Sequence, residues 1–365
     1  MAGRSCAVEG LEKLGEFYRG KHVFLTGHTG FKGTWLSLLL ESLGAKVYGY
    51  ALAPDTSFFE RVRPRLSGSC IAPLADRRTL SSALSEANPE IVMHLAAHST
   101  VDRTGTLTET IFAANVMGTV QLLEAVRGQS SVRAVLVVTS DKCYTEKANG
   151  EALQEDDPLG AEEAYSTSKA CQELVADSYR KTFFCKEKEN LPLATARASN
   201  VLGGGDYHYD RLLPSLLLDF LEGRPFSIRN GDAVRPWQYV LDALEGYLLL
   251  AKALYSSEDG SSDYCGGFNF GPDEDGIVTV RTLVEETAKH FTGAQVLEPK
   301  QVKQRVQERG VLRLSNEKAK CMLGWKPRHR FSETIKEAAE MAKEEYAGKR
   351  MDQLARVYIE RSGIR

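Results

Sequence analysis

A short apolar run that ends in glycine and re-emerges as a helix restricts this chain more than any other feature. His22–Thr26 reads as a β-strand, and Thr26-Gly27-His28-Thr29-Gly30-Phe31-Lys32-Gly33 follows it directly. Helical spacing resumes at Trp35–Leu43. Glycines spaced in this GxxGxxG pattern let the backbone turn sharply and let amides approach a pyrophosphate, with the helix N-terminus facing the negative charge. A plain strand-to-helix turn can show the same spacing, so the flanking strand and helix carry much of the signal.

The alternation continues along the first half. Lys46–Ala51, Glu90–His94, Val132–Thr139 and Pro192–Arg197 read as strands, with helices expected over Ser81–Asn88, Asn115–Val126 and Glu162–Thr182. Strands separated by helices of this length predict βαβ units and a parallel sheet. Ala134–Val138 is continuously apolar, as in a strand covered on both faces. The expected fold is therefore α/β, a Rossmann-type doubly wound parallel sheet over residues 21–200. It follows an N-terminal extension over 1–20. Residues 201–350 read mainly as a smaller substrate-binding lobe that also returns elements to the sheet, and 351–365 as a tail.

Lys and Arg number 46 against 49 Asp and Glu, a net charge of −3. That balance gives no footprint for nucleic acid. The seven cysteines (Cys6, Cys70, Cys143, Cys171, Cys185, Cys265, Cys321) form no CxxC pair. Reduced thiols and a cytoplasmic location are expected. His94 and His98 have HxxxH spacing at a strand end with no cysteine nearby, so no metal site is expected. Residues 1–20 carry Glu9, Glu12 and Glu16 without an apolar run, so no signal peptide is expected. Apolar stretches fall far short of the ~20 residues that span a bilayer, so no membrane partner is expected.

Tyr165-Ser166-Thr167-Ser168-Lys169 puts a phenol and an ammonium four residues apart on one helical face. A neighbouring ammonium lowers a phenol's pKa, which would make Tyr165 a base toward an alcohol. A surface helix pair would read the same way. The acid expected about 20 residues after the glycines is not clear. Asp55 lies past the second strand and no Arg precedes Arg61, so NAD and NADP stay open on these residues. Asp76 could meet an adenine amino group or simply cap the helix that follows.

The order of glycine turn, apolar strand ending in Ser140, and YxxxK helix resembles the extended, nucleotide-sugar-modifying branch of the short-chain dehydrogenase/reductase superfamily. Within that branch, Thr139-Ser140-Asp141-Lys142-Cys143-Tyr144, Thr26–Trp35, Asn115–Thr119, Asn200–Asp206, Arg235–Val240, Phe268–Asp275 and Leu323–Pro327 are similar to the CDP-glucose 4,6-dehydratase family. The resemblance implies bound NAD held by Gly27, Thr29, Gly30, Phe31, Gly33, Asp76, Leu95, Ala96, Ala97, Asn115, Tyr165 and Lys169. It implies Tyr165, Lys169 and Ser140 for oxidation at C4 of the sugar, Asp141 as the acid and Lys142 as the base of a water elimination. Asn200, Arg211 and Arg235 would hold the nucleotide diphosphate. Arg211 also reads as a helix-start surface residue, Arg235 as a core-edge ion pair, and Trp237 as either core or a stacking platform. A homodimer is implied through the YxxxK helix, with Val175, Ala176 and Tyr179 at a spacing that suits such an interface and core positions equally. His98–Thr106 and Asp156–Glu163 depart from the family pattern, which leaves sugar and base open. The alternatives are a nucleotide-sugar 4-epimerase or other 4-ketosugar-forming enzyme, and a non-catalytic dinucleotide-sensing regulator.

Overall fold

The computed structural model describes residues 13–99, 105–145, 147, 150–184, 190–228, 230–257, 263–298 and 311–364. Among them, the strands are β1 His22–Thr26, β2 Lys46–Ala51, β3 Gly68–Ile71, β4 Ile91–His94, β5 Ala134–Val138, β6 Leu193–Ala198, β7 Asn200–Leu202, β8 Phe226–Ser227, β9 Val234–Tyr239, β10 Gly266–Phe270, β11 Ile277–Thr279 and β12 Val296–Leu297. The helices are α1 Leu14–Tyr18, α2 Phe31–Ser42, α3 Phe58–Val62, α4 Arg77–Ala87, α5 Thr108–Phe112, α6 Gly118–Arg127, α7 Ala164–Tyr179, α8 Leu212–Leu221, α9 Val240–Tyr255, α10 Val280–Ala288, α11 Glu317–Leu323, α12 Phe331–Tyr346 and α13 Met351–Ser362.

Seven strands form one sheet in the order β10-β6-β5-β4-β1-β2-β3. Every pairing in it is parallel. This is the doubly wound α/β architecture expected from the alternating pattern. Strand order reverses between β1 and β4, and ligands of such sheets bind in the crevice outside the carboxyl ends of the strands at that point. Each residue of β4, β5 and β6 is buried, because helices cover both faces.

Residues 201–350 divide. Sheet β11-β9-β7, the short pair β12-β8 and helices α8, α10 and α12 share a separate apolar core that includes Leu216, Ile228, Trp237, Leu283 and Ile335. Helix α9, strand β10 and α11 instead join the main sheet. Trp237 thus belongs to the small core, its indole N–H donating to Val278 O at 3.2 Å.

Two ends read as appendages pack into the core. Leu14, Phe17 and Tyr18 of α1 are buried, and the Tyr18 hydroxyl donates to Leu248 O in α9 at 2.8 Å. The segment read as a C-terminal tail forms α13, which packs on α3 and α2. Its Met351, Leu354, Ala355, Tyr358 and Ile359 are buried, one helical stripe of an amphipathic segment. Helix α7 is shorter than the expected Glu162–Thr182. Glu163 caps its start, accepting from the Tyr165 and Ser166 amides at 2.8 and 2.7 Å, and a π-turn over Arg180–Phe184 ends it.

The Tyr358 hydroxyl is buried with no hydrogen-bond partner among the described residues. Tyr358→Phe is expected to leave stability unchanged or raise it by up to about 1 kcal/mol, because it removes an unpaired polar group. Tyr358→Ala is expected to cost about 3–5 kcal/mol by opening a cavity beneath α13. Denaturant unfolding of both variants checks the pair.

Candidate active site

The glycine corner is set by close backbone approach. Gly27 has φ +77°, and a Cβ there would stand 2.6 Å from the Ala96 amide nitrogen at the exit of β4. A Cβ on Gly33 would collide with the Gly27 carbonyl, which the first turn of α2 wraps. Both contacts need hydrogen in place of a side chain. Leu95 and Ala96 stand against this corner, their amides donating to Thr26 O and Thr26 Oγ1, both at 3.2 Å. The Thr29 hydroxyl fixes the far side by donating to Leu52 O at 3.0 Å. Gly30 precedes the buried first turn of α2, which Phe31 opens. Backbone amides at a helix N-terminus, open to a crevice at the switch point, suit the pyrophosphate of a dinucleotide. The cradle that a Cβ would fill therefore fits NAD.

Behind it lies a fully buried polar chain. His94 Nδ1 lies 2.7 Å from Thr26 Oγ1, and its Nε2 lies 3.0 Å from Thr119 Oγ1. Thr119 Oγ1 donates to Asn115 O at 2.6 Å, so the hydroxyl must accept from His94 and from Gln172 Nε2 (2.7 Å). That assigns the neutral Nε2–H tautomer. Burial, with Lys169 adding repulsion, pushes the His94 pKa down to about 3. Asn115 sits in a π-turn, Ala113–Met117. Its Oδ1 accepts from the His98 amide at 2.7 Å, and its Nδ2 donates to His98 O (3.1 Å) and Ser168 Oγ (2.8 Å). Asn115 therefore bolts the exit of β4 to helix α7.

Two residues past the end of β5, Ser140 caps a 3-10 turn over Asp141–Cys143. Ser140 Oγ donates to Asp141 Oδ1 at 2.9 Å and accepts from the Lys142 amide at 3.3 Å. The Tyr165 phenol stands close enough to Ser140 and Asp141 for both to act on its ionisation. Lys142 Nζ and Lys169 Nζ lie 5.7 and 5.9 Å from the centre of the Tyr165 ring. Lys169 Nζ also donates to Gln172 Oε1 at 2.7 Å. The predicted acid, base, phenol and lysine thus meet at one buried place.

The electrostatics differ from the expectation for the phenol. Burial, joined by the Asp141 charge and opposed by the Ser140 side chain, pushes the Tyr165 pKa up to about 12. Burial and the nearby Lys32 push Lys169 down to about 7. Desolvation wins over the helix-face pairing, because both charged forms are excluded from water. Lys32, inside the glycine corner, carries no assigned role in the sequence reading. It is half-buried, its pKa is pushed down to about 8 by desolvation and by Arg211, and its Nζ lies 3.5 Å from the Tyr247 hydroxyl. Its place in the GFKG stretch was the available signal, but nothing in the sequence brings Tyr247 beside it.

Arg211 directly precedes α8, and its side chain turns toward the site. Its Nη1 donates to Asp206 at 3.0 Å and its Nη2 to Ser99 at 2.9 Å, and its charge acts on both Tyr165 and Lys32. Arg235 lies on β9, donating to Val234 O at 2.8 Å, while Asn200 opens β7 in register with Trp237. Asp76 takes the capping role. Its carboxylate accepts from the Thr79 amide at 3.1 Å and hydroxyl at 2.6 Å, at the start of α4. Val175, Ala176 and Tyr179 pack into the chain's own second core, the Tyr179 hydroxyl donating to Glu124 at 2.7 Å. They face α6 because α7 crosses it there. Among the described residues no cluster of His, Cys, Asp or Glu is placed to hold a metal ion, and no helix is long and apolar enough to cross a membrane.

Known proteins with this arrangement are numerous. The CDP-glucose 4,6-dehydratase of Salmonella typhimurium is 40% identical over 325 residues, 87% of this chain and 89% of that one. The dTDP-glucose 4,6-dehydratase 1 of Escherichia coli is 28% identical over 306 residues, covering 74% and 76% of the two chains. Among solved structures, the dTDP-glucose 4,6-dehydratase of Bacillus anthracis in complex with NAD superposes with a TM-score of 0.73 at 21% identity, over 90% of this chain and 98% of that one. MoeE5 in complex with UDP-glucose and NAD gives 0.74 at 23%, over 89% and 99%. Residues 23–264 match the model of the NAD dependent epimerase/dehydratase family, and with so extensive a match beside the 40% relative, the chain belongs to that family.

Proposed function

We propose that this chain is an NAD-dependent nucleotide-sugar 4,6-dehydratase, a hydro-lyase that converts CDP-glucose to CDP-4-keto-6-deoxyglucose. The observation that carries this reading is the Asp141-Lys142 step on a buried turn directly after Ser140, facing Tyr165. A 4-epimerase needs a phenol and a serine there but no acid and base beside them. The 40% relative named for this activity supports the same reading.

Gly27, Gly30, Gly33, Thr29, Ala96 and the start of α2 would hold the dinucleotide, with Lys169 and Tyr165 toward its reactive end. When bound, it supplies a two-electron acceptor that takes hydride from C4 and returns it at C6, so the reaction has no net oxidation. Tyr165 takes the C4 hydroxyl proton while Ser140 hydrogen-bonds the same oxygen. The C4 ketone acidifies C5–H, and Lys142 removes that proton. Asp141 protonates the departing C6 hydroxyl, the C6–O bond breaks, and water leaves. The proton held by Lys142 then goes back to C5 as C6 is reduced, and the proton that Tyr165 took passes to Asp141, which returns both groups to their starting forms. Lys32 and Arg211 repel each other across the site, an imbalance that a bound diphosphate offsets. We also infer a cytoplasmic homodimer. The five described cysteines are all free thiols, and Leu174 on α7 and Met117 just before α6 are 59% and 51% exposed.

Incubation with CDP-glucose should yield a 4-keto-6-deoxy product, read by NMR; a product that is only the 4-epimer refutes the dehydratase. Tyr165→Phe should lower turnover by about 10²–10⁴-fold and leave nucleotide binding intact. The rate should rise with pH as Tyr165 ionises, because only the phenolate accepts the proton. Arg211→Met removes the positive charge that favours that phenolate, so the acid limb of the pH–rate profile should move to higher pH. Leu174→Glu should shift the protein toward monomer in sedimentation or gel filtration.

A further inference from the structure

Beneath the site lies a buried ion pair to which the proposed mechanism gives no part. Glu173 on α7 and Arg197 on β6 are joined at 2.8 Å, with side chains only 3% and 6% exposed. Glu173 accepts from the Thr139 hydroxyl and, at 2.6 Å, from the Thr195 hydroxyl. Arg197 Nη1 donates to the Tyr144 hydroxyl at 2.6 Å and to Glu155 O at 2.9 Å. The Tyr144 hydroxyl in turn donates to Asn269 Oδ1 at 2.7 Å, and Asn269 Nδ2 donates to Leu153 O at 3.1 Å. Space for the guanidinium comes from Gly267 on β10, where a Cβ would stand 2.6 Å from Arg197 Cζ.

The two residues gripped at the turn are informative. Thr139 directly precedes Ser140, and Tyr144 directly follows Asp141-Lys142-Cys143. Glu173 lies one helical turn beyond Lys169 on the helix that carries Tyr165. A buried ion pair is a poor source of net stability compared with well-packed apolar residues, and fixing one arrangement is its better-attested use. Packing alone would place β5 against β6. The polar links instead fasten one end of a short segment to α7 through Glu173 and the other end to β6 through Arg197, and the ion pair joins the two.

We propose that Glu173 and Arg197 are positioning residues, which hold the Asp141-Lys142 turn in register with Tyr165 so that water elimination keeps pace with oxidation at C4. This rests on the dehydratase reading above. With the clamp loosened, Tyr165 and Ser140 still oxidise C4, since the Tyr165 helix keeps its own cap. Asp141 and Lys142 no longer stand correctly over C5 and C6, so the 4-keto sugar and reduced nicotinamide wait on the enzyme.

Tyr144→Phe is the sharpest test. It keeps the ring and removes only the hydroxyl between Arg197 and Asn269. Glu173→Gln is a second variant, and Val135→Ala, a β5 core truncation away from the clamp, is the control. With NAD-loaded protein and CDP-glucose, Tyr144→Phe should form product about tenfold more slowly while reduced nicotinamide, read by its near-ultraviolet absorbance, accumulates in the first turnover. In cofactor-free protein, alkylation of the buried Cys143 thiol, read by mass spectrometry, should be faster than in wild type. Val135→Ala should lower the melting temperature without changing the ratio of the two stages. The proposal is overturned if oxidation and elimination fall together in Tyr144→Phe and Glu173→Gln, if neither falls, or if Cys143 stays as protected as in wild type. If wild-type protein forms no product from CDP-glucose, the dehydratase reading fails, and Cys143 labelling decides the clamp by itself.

Discussion

The distance between the backbone at Gly27 and that at Ala96 sets the geometry of everything around it. These segments leave neighbouring strands at the point where the sheet reverses its winding, and no side chain fits between them. The approach brings the start of α2 to the crevice mouth and leaves Thr26 able to receive the Ala96 amide. From Thr26 the contacts run through His94 and Thr119 to Gln172 and then Lys169. A backbone constraint on one side of the sheet is thereby transmitted to the lysine beside the phenol by hydrogen bonds that have no slack.

The second governing effect is the cost of removing charge from water. Tyr165 and Lys169 are buried and Lys32 is half-buried, and each is shifted toward its neutral form. In the protein by itself this opposes the ionised phenol that proton removal requires. The reactive form belongs to the loaded crevice, where ligand charge and excluded water change the balance. A site that is inert until filled avoids chemistry on water or stray alcohols.

Much of this was readable from residues alone. The strand, glycine corner and helix over residues 22–43 follow from local rules, as does the covered strand Ala134–Val138. The grouping of Ser140, Asp141, Lys142, Tyr165 and Lys169 was legible only through the family resemblance, since residue order by itself leaves Asp141-Lys142 as a solvated turn. What was not readable depends on neighbours distant in sequence. The phenol's shift reflects walls built by Tyr247 and the β5 turn, and Lys32 gains meaning only beside them. Asp76 caps α4 through nearby Thr79, whereas Asn115 reaches His98 and Ser168, partners that no local rule brings to it. Glu173, Arg197, Tyr144 and Asn269 span well over a hundred positions, and no spacing rule connects them. Helix α13 carries an amphipathic stripe, but its place beyond the lobe made it read as a tail.

Helix α9 has a consequence for how the molecule is made. It packs on β4, β5 and β6 from a point in the sequence after most of the smaller sheet, and β10 joins the edge beside β6 later still. The nucleotide-binding half is therefore not a contiguous stretch that can mature while the rest is being synthesised. A chain emerging from the ribosome carries one apolar face of its central strands bare until residues 240–270 arrive. Its first half is committed to waiting for that late helix and strand, with apolar surface exposed in the meantime to aggregation and to chaperones.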